Sequence, residues 1–181
     1  MQVTPEIQTR WGVGLLGAET VPPLMARGVL IDVGGGEPAR EIPLAEIRAA
    51  AAAQRVEPRA GDVVLIRTGN GANWGKPDEY LRGAGMASGI SRWLADVGAV
   101  AVGADNIAWD WLESRDKDLG ASLPGHVILL MQAGIYILEN LYLEELAEDG
   151  VHEFAFVCLP LKLVGATGSP VRPLALALAP G

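Results

Sequence analysis

The sequence predicts an α/β (α+β) fold, with helices packed against a largely buried sheet. Short apolar runs rich in β-branched residues alternate with amphipathic or alanine-rich runs, which is the pattern of alternating strands and helices. Half of the 181 residues are hydrophobic and only 20% are charged, so the chain can bury a substantial core. Glycine and proline stand at the boundaries of these runs, where they begin or end regular structure.

The first half of the chain contains three predicted strands and two predicted helices. A strand is expected at 28–33, because aliphatic residues precede a run of three glycines. The alanine-rich run 43–54 predicts a helix, since Pro43 suits a first turn. A buried strand is expected at 63–67, before a polar, glycine-rich loop. The amphipathic run 88–97 predicts a helix that stops at Gly98, and a strand at 99–103 follows.

The second half continues the alternation. A helix at 126–134, stopped by Gly134, precedes a β-branched strand at 135–139. An acidic helix at 143–149 stops at Gly150, and strands at 153–161 and 174–178 complete the pattern. No repeat or linker interrupts these elements. The sequence therefore predicts one domain over residues 1–181, with an irregular leading segment at 1–20.

Composition and charge disfavour several classes of function. A net charge of −8 disfavours nucleic acid and anionic membranes as partners, because both attract basic surfaces. No apolar run reaches the roughly 20 residues of a membrane span, and the first residues lack the apolar core of a signal peptide. Cys158, the single cysteine, is expected to be a small buried hydrophobe. A cytoplasmic protein is expected.

Several apparent motifs lack the context that their chemistry needs. The run Gly12-Val-Gly-Leu-Leu-Gly17 fits the dinucleotide fingerprint, but no strand precedes it and two prolines follow. The segment 165–170 could form an anion-binding nest near Arg172, although a tight turn is favoured. Cys158 has no cationic neighbour, and no serine stands in a nucleophile elbow. We therefore expect no organic cofactor and assign no catalytic residue.

His126 and Glu139 form a pair that could be part of a metal site. The predicted helix rises about 12 Å at ~1.5 Å per residue, and the strand about 13 Å at ~3.3 Å per residue. If they run back along each other, both side chains finish at the same end. A carboxylate at the end of an apolar strand needs a cation, a metal or a donor. The residues alone leave two interpretations open, a ligand pair or a capping histidine beside an exposed glutamate.

Five blocks of sequence resemble the cyclase family, which includes bacterial kynurenine formamidase and isatin hydrolase. In order, the blocks are 20–33 (TVPPLMARGVLIDV), 61–69 (GDVVLIRTG), 102–105 (VGAD), 126–141 (HVILLMQAGIYILENL) and 165–173 (GATGSPVRP). They follow the family's order and are spread over nearly all of the region 21–178.

The resemblance implies a swivelling β/β/α fold, a homodimer or higher homo-oligomer, and hydrolysis of a small formamide or cyclic amide. It also implies a divalent metal, zinc or manganese, for which His126 and Glu139 match the two ligands from the family's later half. Such a metal polarises the carbonyl and lowers the pKa of bound water, toward about 7 for zinc. Formamidase, isatin hydrolase and cyclase-like roles share this scaffold, so the substrate stays open.

The chain departs from the family at its hallmark. The family's earlier H-x-G-T-H-x-D-x-P-x-H segment supplies the remaining ligands and a proton-transfer histidine, and this sequence contains no such segment. Three explanations are open: an enzyme whose start is missing, a short inactive relative acting as a binding or assembly partner, or ligands from a second subunit. The abrupt beginning at Met1 favours the first. Because a catalytic metal normally has three protein ligands, we expect this chain to bind metal weakly and to hydrolyse neither N-formylkynurenine nor isatin.

Two further groups have only general interpretations. Asp105 is a spare carboxylate at a strand end, expected as a helix-cap or turn residue. Trp74, Trp109 and Trp111 could line a pocket for an aromatic substrate, or equally belong to a core or an interface.

Overall fold

A computed structural model describes residues 8–9, 12–35 and 37–177 of the chain. The chain divides into two compact units. The central unit is Arg27–Phe154, and the terminal unit combines Met1–Ala26 with Ala155–Gly181.

The central unit contains four parallel strands. They are β1 (Leu24–Asp32, within this unit from Arg27), β2 (Val63–Arg67), β3 (Ala101–Ala104) and β4 (Tyr136–Leu138). Their spatial order is β4-β3-β2-β1, with each neighbouring pair parallel. Strands buried on both faces read as continuous aliphatic runs rather than as alternating ones, and four of the five residues of β2 are buried.

Helices and short strands complete the central unit. The helices are α1 (Leu44–Gln54), α2 (Ser88–Val97), α3 (Pro124–His126), which continues as a π-helix over Val127–Ala133, and α4 (Glu144–Glu148). Shorter elements are Asn70–Asn73 (3-10), the helix Pro77–Tyr80, and the strands Glu41–Ile42, Gly85–Met86, Arg115–Asp116 and Ala121–Ser122. Buried aliphatic residues of α1, α2 and the sheet form the core, together with Trp109.

The terminal unit contains β5 (Glu153–Cys158, within this unit from Ala155), which pairs antiparallel with β6 (Leu174–Leu176). A 3-10 turn at Ala18–Thr20 and the two-residue strands Gln8–Thr9 and Gly12–Val13 also belong to it. The N–H of Val13 donates to the carbonyl of Gly165 at 2.9 Å, and that of Ala18 to Ala166 at 2.8 Å. The segment 165–170 thus contacts the leading part of the chain through its backbone.

The α/β fold class is confirmed, and most predicted elements occur within two residues of their expected bounds. The predicted strand 153–161 is shorter, ending at Cys158. The strand expected at 174–178 is observed as Leu174–Leu176, and its last predicted residue lies outside the described residues. The largest difference is that most of the helix expected at 126–134 is a π-helix. Hydrophobic periodicity does not distinguish these two helix types.

Polar residues stand at or directly after the carboxyl ends of all four parallel strands. Asp32 and Arg67 end β1 and β2, while Asp105 follows β3 and Glu139 follows β4. Parallel strands bring their carboxyl ends to one edge, where open α/β sheets usually bind ligands. A functional site is therefore expected at this edge of the sheet.

Candidate metal centre

His126 and Glu139 meet at the carboxyl edge of the sheet. His126 is the last residue of α3, and Glu139 directly follows β4. The His126 Nε2 atom lies 3.3 Å from Glu139 Oε1, with side chains 33% and 28% exposed. The predicted proximity of the pair is confirmed, since the helical segment and the strand do return along each other. Their role as metal ligands stays a prediction.

Asp110 fixes the orientation of the His126 ring. Its carboxylate is fully buried, and one oxygen lies 2.8 Å from His126 Nδ1. The same carboxylate accepts backbone N–H groups from Gly125 at 2.6 Å and His126 at 3.3 Å. A neutral His126 with its proton on Nδ1 therefore presents the Nε2 lone pair toward Glu139. Histidines that bind metals are commonly held in this way by a carboxylate.

Glu139 is held from its other side by backbone. The N–H of Trp109 donates to Glu139 Oε1 at 2.8 Å. Trp109 is itself fully buried, and its indole N–H donates to Ser91 Oγ at 2.9 Å. The position of the Glu139 carboxylate thus depends on a buried residue of the core.

Gly125 allows these groups to pack together. A β-carbon added at Gly125 would lie 2.6 Å from Trp109 Cδ1, 2.7 Å from Asp110 Oδ1 and 2.8 Å from Ser91 Oγ. No ordinary β-carbon tolerates such contacts, and all three neighbouring residues are buried. The residue before His126 is glycine because the Asp110 carboxylate occupies the space of a side chain.

The two carboxylates raise the pKa of His126 to about 9. The hydrogen bond with Asp110 is the largest cause, followed by that with Glu139, while partial burial opposes both. Without a metal, the imidazolium is therefore the cation between Asp110 and Glu139 at neutral pH. A divalent ion would have to displace the proton on Nε2 to bind there.

The pair suits a divalent metal, although it provides only two donors. A neutral imidazole nitrogen and a carboxylate are ligands that zinc and manganese accept. Within residues 8–9, 12–35 and 37–177, no group of three or more His, Cys, Asp or Glu side chains is arranged to hold a metal ion. Asp110 contacts the far ring nitrogen and acts on the pair through His126.

Asp105 anchors the loop after β2. It is fully buried, and its carboxylate accepts the backbone N–H groups of Thr68 (2.8 Å), Gly69 (2.9 Å) and Gly71 (3.2 Å) and the Thr68 hydroxyl (2.9 Å). The expected role was a helix-cap or turn residue, and the carboxylate does hold a turn, the one that leads from β2 into the 3-10 helix Asn70–Asn73. Burial raises its pKa, and the hydrogen bonds oppose that rise. The carboxylate stabilises a turn on the neighbouring strand rather than its own.

Tyr80 and Asn140 stand beside the pair. The Tyr80 hydroxyl donates to Asn140 Oδ1 at 2.9 Å, and the N–H of Asn140 donates to the carbonyl of Asn106 at 2.8 Å. Burial raises the pKa of Tyr80 to about 12, and the charges of Asp105 and Glu139 add to the rise. The hydroxyl therefore keeps its proton at neutral pH and can donate it to Asn140.

Arg67 lies at the same edge of the sheet, paired with the carboxylates of Asp32 and Glu144. Its guanidinium donates to Asp32 Oδ1 at 2.8 Å and to Glu144 Oε2, and the two hydrogen-bonded carboxylates raise its pKa. Glu144 Oε1 is buried without a hydrogen-bond partner among the described residues. Because both carboxylates occupy Arg67, this cation is not free to bind an anionic ligand.

The remaining candidates have mostly structural positions. Trp109 is a core residue, whereas Trp74 is 63% exposed and packs edge-on against Tyr80 with ring centroids 5.3 Å apart. Trp111 is partly buried. Cys158 is buried, as predicted. No helix among the described residues has the length and apolar character needed to cross a membrane.

Sequence reasoning did not single out Asp110, Gly125, Tyr80 or Asn140. Asp110 offered one signal, because it is an acidic residue between two tryptophans. A carboxylate in an apolar stretch must find a partner when it is buried. The other three had no local signal, since their positions depend on contacts between distant segments.

Comparisons with known proteins show what this chain is similar to. Residues 9–111 match the family model Cyclase, described as "Putative cyclase". A curated relative, "Kynurenine formamidase" of Delftia acidovorans (strain DSM 14801 / SPH-1), is 37% identical over 118 residues, which cover 64% of this chain and 49% of that protein. The chain spans about half the length of the curated relatives it matches. The family match ends before His126.

Solved structures show a likeness over a larger share of the chain. A crystal structure of a novel cyclase is 33% identical with a TM-score of 0.76, over 92% of this chain and 58% of that one. A structure described as a potential metal-dependent hydrolase with cyclase activity is 27% identical with a TM-score of 0.63, over 87% of this chain and 67% of that one. An isatin hydrolase with bound thioisatinate is 24% identical with a TM-score of 0.73, over 85% of this chain and 60% of that one. This last likeness concerns the fold alone.

Proposed function

Because the chain belongs to the cyclase family, we propose that it serves the metal-dependent hydrolysis of a small formamide or cyclic amide, with His126 and Glu139 as two of the metal ligands. One observation carries the proposal: His126 Nε2 and Glu139 Oε1 converge to 3.3 Å at the carboxyl edge of the sheet. The resemblance to formamidases and hydrolases of this family is confirmed. The metal, the substrate and the activity of this chain belong to the proposal.

The chain's own residues prepare a metal-binding pair. Asp110 holds the Nδ1 proton of His126, so Nε2 is left as the donor atom. The Trp109 N–H holds Glu139 Oε1 near that nitrogen. A bound zinc or manganese ion would polarise the amide carbonyl and lower the pKa of a bound water.

The names of similar proteins support the substrate class. The Delftia acidovorans relative is called a kynurenine formamidase, and a similar structure is described as a potential metal-dependent hydrolase. Both descriptions fit a carbonyl carbon attacked by water beside a metal ion. A formamide or a cyclic amide is the kind of substrate that we propose.

A metal titration tests the ligand pair. Calorimetry with zinc and with manganese should detect weak binding to the chain at neutral pH, and Glu139→Gln or His126→Asn should abolish it. The matched controls are Glu148→Gln, an exposed carboxylate on α4, and His152→Asn, the second histidine. Unchanged metal affinity in Glu139→Gln would remove Glu139 from the site.

A chimera tests the hydrolytic function. The segment of the Delftia acidovorans relative that precedes its matched region would be fused in front of residue 1, and the product loaded with zinc or manganese. We expect hydrolysis of N-formylkynurenine or isatin, with a loss of at least about a hundredfold in Glu139→Gln, because loss of a residue that only supports a ligand already costs about 10- to 100-fold. A folded, metal-loaded chimera that hydrolyses neither compound would contradict the proposal.

A further inference from the structure

We propose that Asn140 contacts the substrate of this site, donating a hydrogen bond from its Nδ2 amide to the carbonyl oxygen of the bound amide, and that Tyr80 holds it in place. This inference rests on the proposed function and adds a substrate-binding residue to it. Three observations support the inference: the hydrogen bond between Tyr80 and Asn140, the left-handed backbone conformation of Asn140, and the position of Asn140 directly after Glu139.

Tyr80 sets the direction of the Asn140 amide. The Tyr80 side chain is buried, and its hydroxyl donates to Asn140 Oδ1 at 2.9 Å. In this arrangement the amide oxygen faces the Tyr80 hydroxyl, so the NH₂ group points away from Tyr80. Asn140 is exposed, and its Nδ2 atom has no hydrogen-bond partner among the described residues. Both N–H donors are therefore available to a ligand.

The backbone fixes where this amide stands. Asn140 has φ of +58°, a left-handed conformation that asparagine adopts more readily than most residues. Its N–H donates to Asn106, and the N–H of Leu141 donates to Ala104 at 3.1 Å. The turn after β4 is thus pinned to the turn after β3, with Glu139 and Asn140 side by side.

A neutral donor suits this position. Glu139 and Asp110 already surround His126 with negative charge, and Arg67 is occupied by Asp32 and Glu144. Negative charge develops on the carbonyl oxygen when water attacks an amide, and a fixed N–H donor stabilises it. The Asn140 amide is an uncharged donor next to Glu139, and no protein group among the described residues uses it.

The direct test observes the Asn140 side-chain amide by NMR in the full, zinc-saturated chain, with formanilide as the probe. We expect the Nδ2 proton signals to shift saturably with formanilide. Asn140→Gly tolerates the positive φ, and Asn140→Asp keeps the shape but replaces the donor. Each should weaken formanilide binding about tenfold, the effect of one hydrogen bond, with zinc affinity unchanged in Asn140→Gly. Asn73→Asp is the control.

A double-mutant comparison tests Tyr80 as a positioning residue. Tyr80→Phe should weaken formanilide binding severalfold without changing zinc affinity, and Tyr142→Phe, an exposed tyrosine, should change neither. Combined with Asn140→Gly, Tyr80→Phe should add nothing, because it acts only through the missing amide. Additive losses would overturn the role assigned to Tyr80.

The outcomes separate this inference from the proposed function. If formanilide shifts the Glu139 and His126 signals but leaves the Asn140 amide unmoved, the contact is overturned while the site stands. The same conclusion follows if Asn140→Gly binds formanilide as tightly as the original chain. If neither zinc nor formanilide moves any of these signals, both proposals fail.

Discussion

At the scale of single residues, the candidate site depends on a carboxylate that never touches the metal position. Asp110 is fully buried and binds His126 Nδ1 together with two backbone N–H groups. It therefore determines which ring nitrogen carries the proton and where the ring points. Such supporting groups usually matter nearly as much as the ligands.

Replacing Asp110 with asparagine should weaken zinc binding about 10- to 100-fold. The amide cannot accept from Gly125, His126 N and His126 Nδ1 as the carboxylate does, so the ring loses its fixed tautomer and orientation. Calorimetric titration with zinc at neutral pH measures the change. Asp118→Asn, an exposed aspartate, should leave the affinity as it is. Equal zinc affinity in both variants would show that Asp110 does not orient His126.

The raised pKa of His126 predicts a pH dependence of stability in the metal-free chain. The folded-state pKa of about 9 lies above the ordinary value of 6.5, so the folded chain binds this proton more tightly than the unfolded chain. The stabilisation is fully present below pH 6.5 and is lost as the pH rises through 9. Urea unfolding in the presence of a chelator, from pH 6 to pH 10, should therefore show a decline that His126→Gln lacks. Parallel pH profiles for the two chains would contradict the assignment.

Sequence reasoning identified the two proposed ligands but not their supports. His126 and Glu139 stood out because a histidine and a strand-end carboxylate are rare in such an apolar stretch. Gly125 is required because three side chains from two other segments occupy the space above its α-carbon. Such a contact has no local trace in the sequence, where Pro124 and Gly125 resemble any helix start.

At the scale of elements, the boundaries were predictable where local chemistry sets them. Gly98 ends α2 with φ of +82°, and Gly134 ends the π-helix with φ of +69°, as glycine does after many helices. The π-helix over Val127–Ala133 was not predictable, because its apolar pattern suits an α-helix as well. π-helical turns are frequent at functional sites, and this one follows His126 directly.

The turn after β2 should depend on Asp105. Each oxygen of the Asp105 carboxylate accepts two hydrogen bonds: Oδ1 from the N–H and the hydroxyl of Thr68, and Oδ2 from the N–H groups of Gly69 and Gly71. Asp105→Asn turns an NH₂ donor toward one pair of these donors. We expect faster amide hydrogen exchange at Gly69 and Gly71 and a loss of about 1–3 kcal/mol of stability, the cost of buried donors left unpaired.

Urea unfolding and exchange measured by NMR check this expectation. Asp96→Asn, an exposed aspartate at the end of α2, should change stability by less than about 0.5 kcal/mol. Unaltered exchange at Gly69 and Gly71 in Asp105→Asn would show that the turn holds without the carboxylate.

At the scale of the whole molecule, the fold class followed from composition and alternation, whereas the function followed from resemblance. Parallel pairing of β1 to β4 brings Asp32, Arg67, Asp105 and Glu139 to one edge, although these residues are far apart in sequence. No local pattern contains that pairing. The resemblance to the family predicted this pairing only indirectly, through the fold that it implies. The chain spans only about half the length of its curated relatives.

The exposed apolar side chains of the terminal unit predict that the chain self-associates. Large apolar side chains are exposed there, among them Leu159 (59%), Leu161 (54%), Val164 (84%), Leu174 (48%) and Leu176 (57%). Exposed apolar side chains favour association, and so does β6 as the edge strand of its sheet. We expect a dimer or a larger assembly in sedimentation velocity at micromolar concentration. Leu176→Lys should shift the chain toward monomer, because a charged strand edge resists pairing, whereas Leu112→Lys, an exposed leucine of the central unit, should not. A monomer over the whole concentration range would contradict the homo-oligomer that the family resemblance implies.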